Sequence, residues 1–358
     1  MVVESLKLDH FRNYDGLELT FDEGTNLFYG DNAQGKTNIL EAVYLCGTTR
    51  SHRGSRDRDM IQFSLEEAHI RMQIRKRENP YRIDMHQKTA KSTAIAINGT
   101  PVRKASELVG LGSFIFFSPE DLNIIKNGPS ERRRFLDMEL CQLDKVYLYN
   151  LSNYNKVLAQ RGRLLKDYEF SHDADSVLDV LDLQLAQFGT VVIRLRRAFS
   201  KRLAGLVGVI HGNLSGGRET LELKYENDVE EDAFLDRLSL NRERDIRTKM
   251  TNAGPHRDDL CFLVNGIDIR KFGSQGQQRT AALSLKLSEI EIVKQSTKDT
   301  PVLLLDDVLS ELDGSRQKYL LDNIHSIQTM ITCTGVDDFV NNNFQINKLF
   351  RVAAGGVE

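Results

Sequence analysis

Cysteine is scarce: Cys46, Cys141, Cys261 and Cys333 lie far apart, with no Cys-x-x-Cys pair and no companion histidine cluster. This spacing excludes a disulfide framework and a structural zinc, and it points to a reduced, cytoplasmic chain. Long apolar runs are missing too, none approaching the ~18 residues that span a bilayer. Glu4, Lys7 and Asp9 break up any apolar leader core near the start, so no membrane association is expected. Neither sign of charge is in excess. With 48 basic and 51 acidic residues the net charge is -3, so any affinity for nucleic acid must come from local patches. There are only 6 prolines, and no internal repeat, low-complexity tract or linker longer than a turn. At 358 residues the chain can bury enough surface for two lobes.

The most informative stretch is Gly30-Asp31-Asn32-Ala33-Gln34-Gly35-Lys36-Thr37, which fits Gly-x-x-x-x-Gly-Lys-Thr between a strand-like run at 26–29 and a helix-like run at 39–45. Two glycines let the backbone wrap a phosphate chain, helix-start amides carry partial positive charge, and Lys36 adds a full one. Thr37 is placed to hold Mg²⁺ through its hydroxyl. Alternating patterns predict an N-terminal hairpin around Asp15-Gly16, a second around Pro80, and a third at Asn98-Gly99. A buried strand is expected at 112–117. Helices are expected at 130–166 and 177–210, where apolar residues recur at three- and four-residue spacing. Strands at 221–225 and 260–264, a helix at 276–293, a buried strand at 302–305, a helix at 315–325 and strands at 329–332 and 349–353 complete the pattern.

Three further stretches bear on chemistry. Leu303-Leu304-Leu305-Asp306-Asp307 is an apolar strand ending in two carboxylates, and such strand ends open toward the ligand crevice of a parallel sheet. Asp306 is positioned for the magnesium shell and Asp307 for orienting a water against the γ-phosphate. Ser310-Glu311-Leu312-Asp313 follows, either an N-capped helix start or a functional loop. Gly273-Ser274-Gln275-Gly276-Gln277 opens a long helix and offers a second anion site.

The order of phosphate loop, Ser-x-Gly-Gln at a helix start, then apolar-Asp-acid-x-x-Ser-x-Leu-Asp resembles that of the ABC-type ATPase heads. Within them the chain is similar to the RecF family of DNA replication and repair proteins. The similarity rests on Phe-Arg-Asn-Tyr at 11–14, Ser51-His52-Arg53, 117–122, 132–137, 254–259, 274–279 and 304–313, and it covers nearly the whole chain. It implies an α/β fold: an ABC-type P-loop ATPase head with a mixed sheet and antiparallel annex, plus an inserted mainly helical lobe. Residues 1–115 together with 276–358 would form lobe I, and 116–275 lobe II. It also implies ATP as ligand and a homodimer in which Ser274, Gly276 and Gln277 of one protomer close on the γ-phosphate held by the other. Arg12 resembles an arginine that approaches the nucleotide in such heads, and its alternative role is a strand-end salt bridge. The implied activity is recombination mediation in repair and replication. This covers binding of single-stranded, gapped or junction DNA, cooperation with RecO and RecR, loading of RecA, gap repair and SOS induction.

Departures from the pattern shape the expectation. Asp307 stands where a glutamate is usual, Gly273 and Gln275 alter the signature, Cys333-Thr334 fill the switch-histidine position, and 117–122 holds no glutamine. Slow, DNA-stimulated ATP hydrolysis follows as the expectation. The alternatives are an ATP-gated clamp or scaffold with negligible hydrolysis, or a chromosome-organising head, although 116–275 lacks sustained heptad seams. For DNA the sequence offers Arg71, Arg75, Lys76 and Arg77 on a hairpin, with 50–58, Arg194-Arg197-Lys201 and Arg132-Arg133-Arg134 beside Asp137 as competitors. His52 and His256 have nucleotide-linked, interface-linked or structural roles open to them.

Overall fold

The computed structural model describes residues 1–170, 172–335, 344–353 and 355–358. The chain divides into two compact units, Met1–Asp121 with Glu289–Glu358, and Leu122–Ser288. These limits differ from 115/116 and 275/276. The long helix Gln275–Thr297 does not begin the first unit but is divided at Ser288, and its early part packs on the second. There Ser284 meets His211 at 3.2 Å and Lys286 lies 5.9 Å over the Phe135 ring.

The first unit holds two six-stranded sheets. One is an antiparallel meander with the order Tyr14–Thr20, Val2–Phe11, Glu67–Lys76, Asn79–Lys88, Lys91–Ile97 and Thr100–Pro101. In Glu67–Lys76 every second residue from Ala68 to Ile74 is buried, the period-two pattern of a sheet with one covered face. The other sheet runs Gly356–Val357, Lys348–Ala353, Thr25–Tyr29, Thr329–Cys333, Val302–Asp306 and Phe114–Phe117, parallel apart from its first pair. Val302–Asp306 is buried at all five positions because it is covered on both faces, which is why its sequence shows no alternation. Helix Lys36–Thr48 touches both sheets and is apolar nearly all round, as a helix buried between layers must be.

The second unit combines helices Pro129–Leu143, Lys145–Lys166 and Ala174–Leu214 with a three-stranded antiparallel sheet, Leu221–Glu226, Asp259–Val264 and Ile267–Asp268. The expected helix at 130–166 is two helices. Asp144 leaves the helical region at φ -139° and its carboxylate accepts from the Val146 and Tyr147 amides at 2.7 and 3.1 Å, an N-cap that starts the second helix afresh. Helix Ala174–Leu214 is long and apolar enough to cross a membrane by length and composition, a feature the reading of apolar runs missed. Part of its apolarity lies in a stripe of buried side chains, Leu178, Leu185, Val192, Ile193, Leu203 and Val207 among them, while Val177, Val180, Leu183 and Val209 are exposed.

Candidate functional site

The phosphate loop leaves strand Thr25–Tyr29 and enters helix Lys36–Thr48 as the sequence suggested. Gly30 and Gly35 both have positive φ, 148° and 112°, in space that admits no side chain. A β-carbon at Gly30 would lie 2.3 Å from the Val352 carbonyl oxygen. One at Gly35 would lie 2.5 Å from Asn13 Nδ2 and 2.7 Å from the Tyr14 hydroxyl. Asp31, Asn32 and Ala33 form the exposed crest, with Ala33 at φ 64°, and Gln34 is half-buried. Lys36 folds back over the loop, donating to the Gly30 and Asp31 carbonyls at 2.6 and 2.7 Å. Burial lowers its pKa, opposed by the negative charges of Cys333, Asp307, Asp306 and Asp31.

Asp306, at the end of strand Val302–Asp306, stands beside this loop. One of its oxygens accepts from Thr37 Oγ1 at 2.7 Å and from Thr332 Oγ1 at 2.7 Å. Burial raises its pKa, and the two hydroxyls together with the charge of Arg53 pull it partly back. Thr37 and Asp306 supply a hydroxyl and a carboxylate side by side, the hard oxygen donors that suit Mg²⁺. Asp307 follows in a left-handed conformation, φ 51°, its amide bound to Thr332 Oγ1 at 3.0 Å and its carbonyl to Ser310 Oγ at 2.8 Å. Asp313 caps helix Gly314–Ile324 through the Arg316 amide and also holds Ser315. The switch position is met only through Cys333, Thr334 and Gly335, because 336–343 lie outside the described residues.

Arg12 does not point its guanidinium freely at the loop. Both oxygens of Glu41 receive it at 2.8 Å, with the Asp59 carbonyl and Ser55 Oγ as further partners. Glu41 is fully buried on the phosphate-loop helix and also accepts from Ser51 Oγ at 2.5 Å. His52 stacks on Phe116 with ring centroids 3.7 Å apart. In the second unit His256 is held between the Tyr154 hydroxyl at 2.6 Å and the Thr251 carbonyl at 3.0 Å, and burial lowers its pKa.

Ser274 sits at the start of helix Gln275–Thr297 in a reciprocal capping arrangement. Its hydroxyl accepts from the Gln277 amide at 3.2 Å while Gln277 Oε1 accepts from the Ser274 amide at 3.0 Å. Gln277 Nε2 is braced by Glu219 at 2.9 Å. Gly276 is exposed, and a β-carbon there would meet nothing closer than Ser274 Oγ at 3.9 Å. This chain by itself does not require a glycine at that position.

The four basic hairpin residues all have internal partners. Arg71 pairs with Asp84 at 2.6 Å, Arg75 with Glu4 at 2.7 Å and with Glu23, Lys76 with the Leu111 carbonyl at 2.7 Å, and Arg77 with the Thr297 carbonyl at 2.9 Å. Arg132 is buried and bidentate on Asp259, Arg133 donates to the Asp258 carbonyl at 2.8 Å, and Asp137 pairs with Arg196 while its charge also bears on Arg133. That run is therefore partly internal scaffold.

The model for the RecF/RecN/SMC N-terminal domain matches residues 2–355. The DNA replication and repair protein RecF of Agathobacter rectalis is 58% identical over 100% of this chain and 99% of its own length. The chain belongs to the RecF family. The RecF protein of Lachnoclostridium phytofermentans is also 58% identical, with the same coverage. A solved structure of the recombination mediator protein RecF with ATP, in the RecFOR pathway, superposes with a TM-score of 0.93 at 36% identity, covering 99% of this chain and 96% of that one. An Smc head from Pyrococcus furiosus, at 17% identity, 99% and 95% coverage and a TM-score of 0.58, shares the fold alone.

Several residues that brace the phosphate loop, or in the second unit the Ser274–Gln277 helix start, went unnoticed in the sequence. Glu41 carried a signal, being the single carboxylate in the apolar run 39–45. Thr332 and Glu219 carried none, because their partners are distant in sequence. Asn13 and Tyr14 were part of the Phe-Arg-Asn-Tyr motif, but only the fold brings them to Gly35.

Proposed function

We propose that this protein is an ATP-dependent recombination mediator of DNA repair and replication that binds ATP and Mg²⁺ at the phosphate loop. The observation that carries the reading is the convergence of Thr37 and Thr332 hydroxyls on one oxygen of Asp306, next to Lys36 and the loop backbone. Thr37 and Asp306 would hold the metal, which when bound would offset charge on the β- and γ-phosphates. Lys36 would exchange its two carbonyl bonds for phosphate oxygens, and loop amides from Gly30 to Thr37 would cradle the rest. Asp307 would orient the attacking water. Its side chain is one methylene shorter than the glutamate of related heads, which favours slow turnover.

In this reading ATP joins two copies of the chain. Ser274, Gly276 and Gln277 of one copy would face the γ-phosphate held by the other, and the exposed Gly276 leaves room for close approach. The closed dimer would take gapped or junction DNA largely without sequence preference, with the hairpin of Arg71, Arg75, Lys76 and Arg77 contributing where its internal partners yield to phosphate. RecO and RecR would be its partners in loading RecA, with gap repair and SOS induction as consequences, in the cytoplasm. Support comes from the family membership and from the RecFOR setting of the ATP-bound relative.

The test is steady-state ATP hydrolysis by the purified protein, alone and with saturating gapped duplex. Slow basal turnover raised several-fold by DNA is expected. Fast turnover indifferent to DNA would sink the switch reading. Undetectable turnover with intact ATP-dependent dimerisation would favour a clamp that works by binding.

A further inference from the structure

The turn that links strands Val2–Phe11 and Tyr14–Thr20 is built onto the phosphate loop. Asn13 Nδ2 donates to the Gln34 carbonyl at 3.0 Å, and Asn13 Oδ1 accepts from Asn38 Nδ2 at 2.8 Å, so one side chain spans the loop's last turn and the first turn of the helix. Arg12 anchors the same turn to that helix through Glu41. On the other side, a β-carbon at Gly355 would sit 2.8 Å from the Asn13 carbonyl oxygen, which leaves the turn little room to withdraw.

Tyr14 is the unexplained member. Its ring is fully buried, and its hydroxyl has no hydrogen-bond partner among the described residues. That hydroxyl is aimed at Gly35, the left-handed residue that begins the 13-residue helix carrying Lys36 and Thr37. A buried hydroxyl without a partner destabilises a fold, whereas phenylalanine would fill the same space without that penalty. The hydroxyl is thus a polar atom held against the phosphate loop with its hydrogen-bonding capacity unspent among the described residues.

We propose that Asn13 and Tyr14 are positioning residues for the phosphate loop, and that the Tyr14 hydroxyl gains its hydrogen-bond partner when a triphosphate seats there. Asn13 holds Gln34 and Asn38 on either side of Gly35. Loading the loop turns backbone groups at 34–35 toward the hydroxyl, and the new bond favours the loaded shape. The inference rests on the phosphate-loop reading above.

The two states give Tyr14→Phe opposite effects, which a purely structural role would not. Thermal unfolding without nucleotide should be unchanged or shifted upward. Mg·ATP affinity, measured by equilibrium titration well below the unfolding range, should weaken by about 3- to 10-fold, the worth of one hydrogen bond. Asn13→Ala should weaken ATP binding at least as much. Tyr14→Phe with wild-type affinity would overturn the inference while wild-type binding upholds the site. Loss of nucleotide-free stability or of folding in Tyr14→Phe would also overturn it, because the hydroxyl would then be structural. Wild-type protein that binds no ATP would overturn the site reading itself.

Discussion

Glu41 is tolerated inside the first unit only because Arg12 and Ser51 meet it. Burial raises its carboxyl pKa, and the hydrogen bonds from Arg12 and Ser51 more than reverse that, leaving it below the ordinary glutamate value. Removing the charge strands the guanidinium of a half-buried partner. Glu41→Gln should therefore cost about 3 kcal/mol in chemical denaturation, toward the lower end for a broken buried pair because the amide retains one acceptor. A depressed folded-state value stabilises the protein above the unfolded value of about 4.3 and is lost as pH falls through the folded value. As pH falls from about 4.3 toward the folded value, the acid limb of the stability curve should accordingly be shallower in Glu41→Gln than in wild type. Thr332→Ala should weaken Mg·ATP binding, since Asp306 would keep Thr37 but lose the second hydroxyl that offsets its burial. A drop in stability without a change in binding would count against that role. At this scale the sequence was legible where a spaced motif fixes the surroundings, as the Gly-x-x-x-x-Gly-Lys-Thr run and the apolar strand ending in Asp306 did in bringing Thr37 and Asp306 together. Thr332 was not, since a threonine in a strand is ordinary until the neighbouring strand is known. For Arg12 the sequence left two roles open, and the observed guanidinium lies on the salt-bridge side of that choice.

At the scale of elements, two start signals can be probed without touching the phosphate loop. Asp144→Ala removes the cap of helix Lys145–Lys166 and should cost roughly 1 kcal/mol, read as a lower unfolding midpoint with ATP binding intact. Gly276→Ala should do the reverse. Alanine is favoured over glycine within a helix by up to ~1 kcal/mol, and the nearest atom to the added carbon is 3.9 Å away, so the isolated chain should be as stable or more so. ATP-dependent dimerisation, followed by light scattering, should fall sharply if a second copy approaches there. Unimpaired dimerisation would remove Gly276 from the interface. Strands were easy to read because burial on one face or two leaves distinct patterns, as in Glu67–Lys76 and Val302–Asp306. The break at Asp144 was hidden because apolar spacing continues across it, and only the cap geometry separates the two helices.

At the scale of the whole molecule, near-neutral charge leaves DNA binding to patches, and each arginine or lysine of the hairpin already has an internal partner. Replacing Arg71, Arg75 and Arg77 together with alanine should weaken gapped-duplex binding and flatten its dependence on log salt by roughly one for each phosphate no longer neutralised. Unchanged affinity and slope would move the DNA elsewhere on the protein. The sheet order has another implication, for synthesis. Strand Thr25–Tyr29, which delivers the phosphate loop, pairs on its two sides with Thr329–Cys333 and Lys348–Ala353. On a ribosome adding ~5–20 residues per second, that strand waits on the order of 15–60 s with both edges open. The intervening Leu122–Ser288 is contiguous and can fold meanwhile. The nascent chain should thus acquire its helical unit early and its nucleotide site last, with the longest exposure to chaperones falling on the residues that later hold the phosphates.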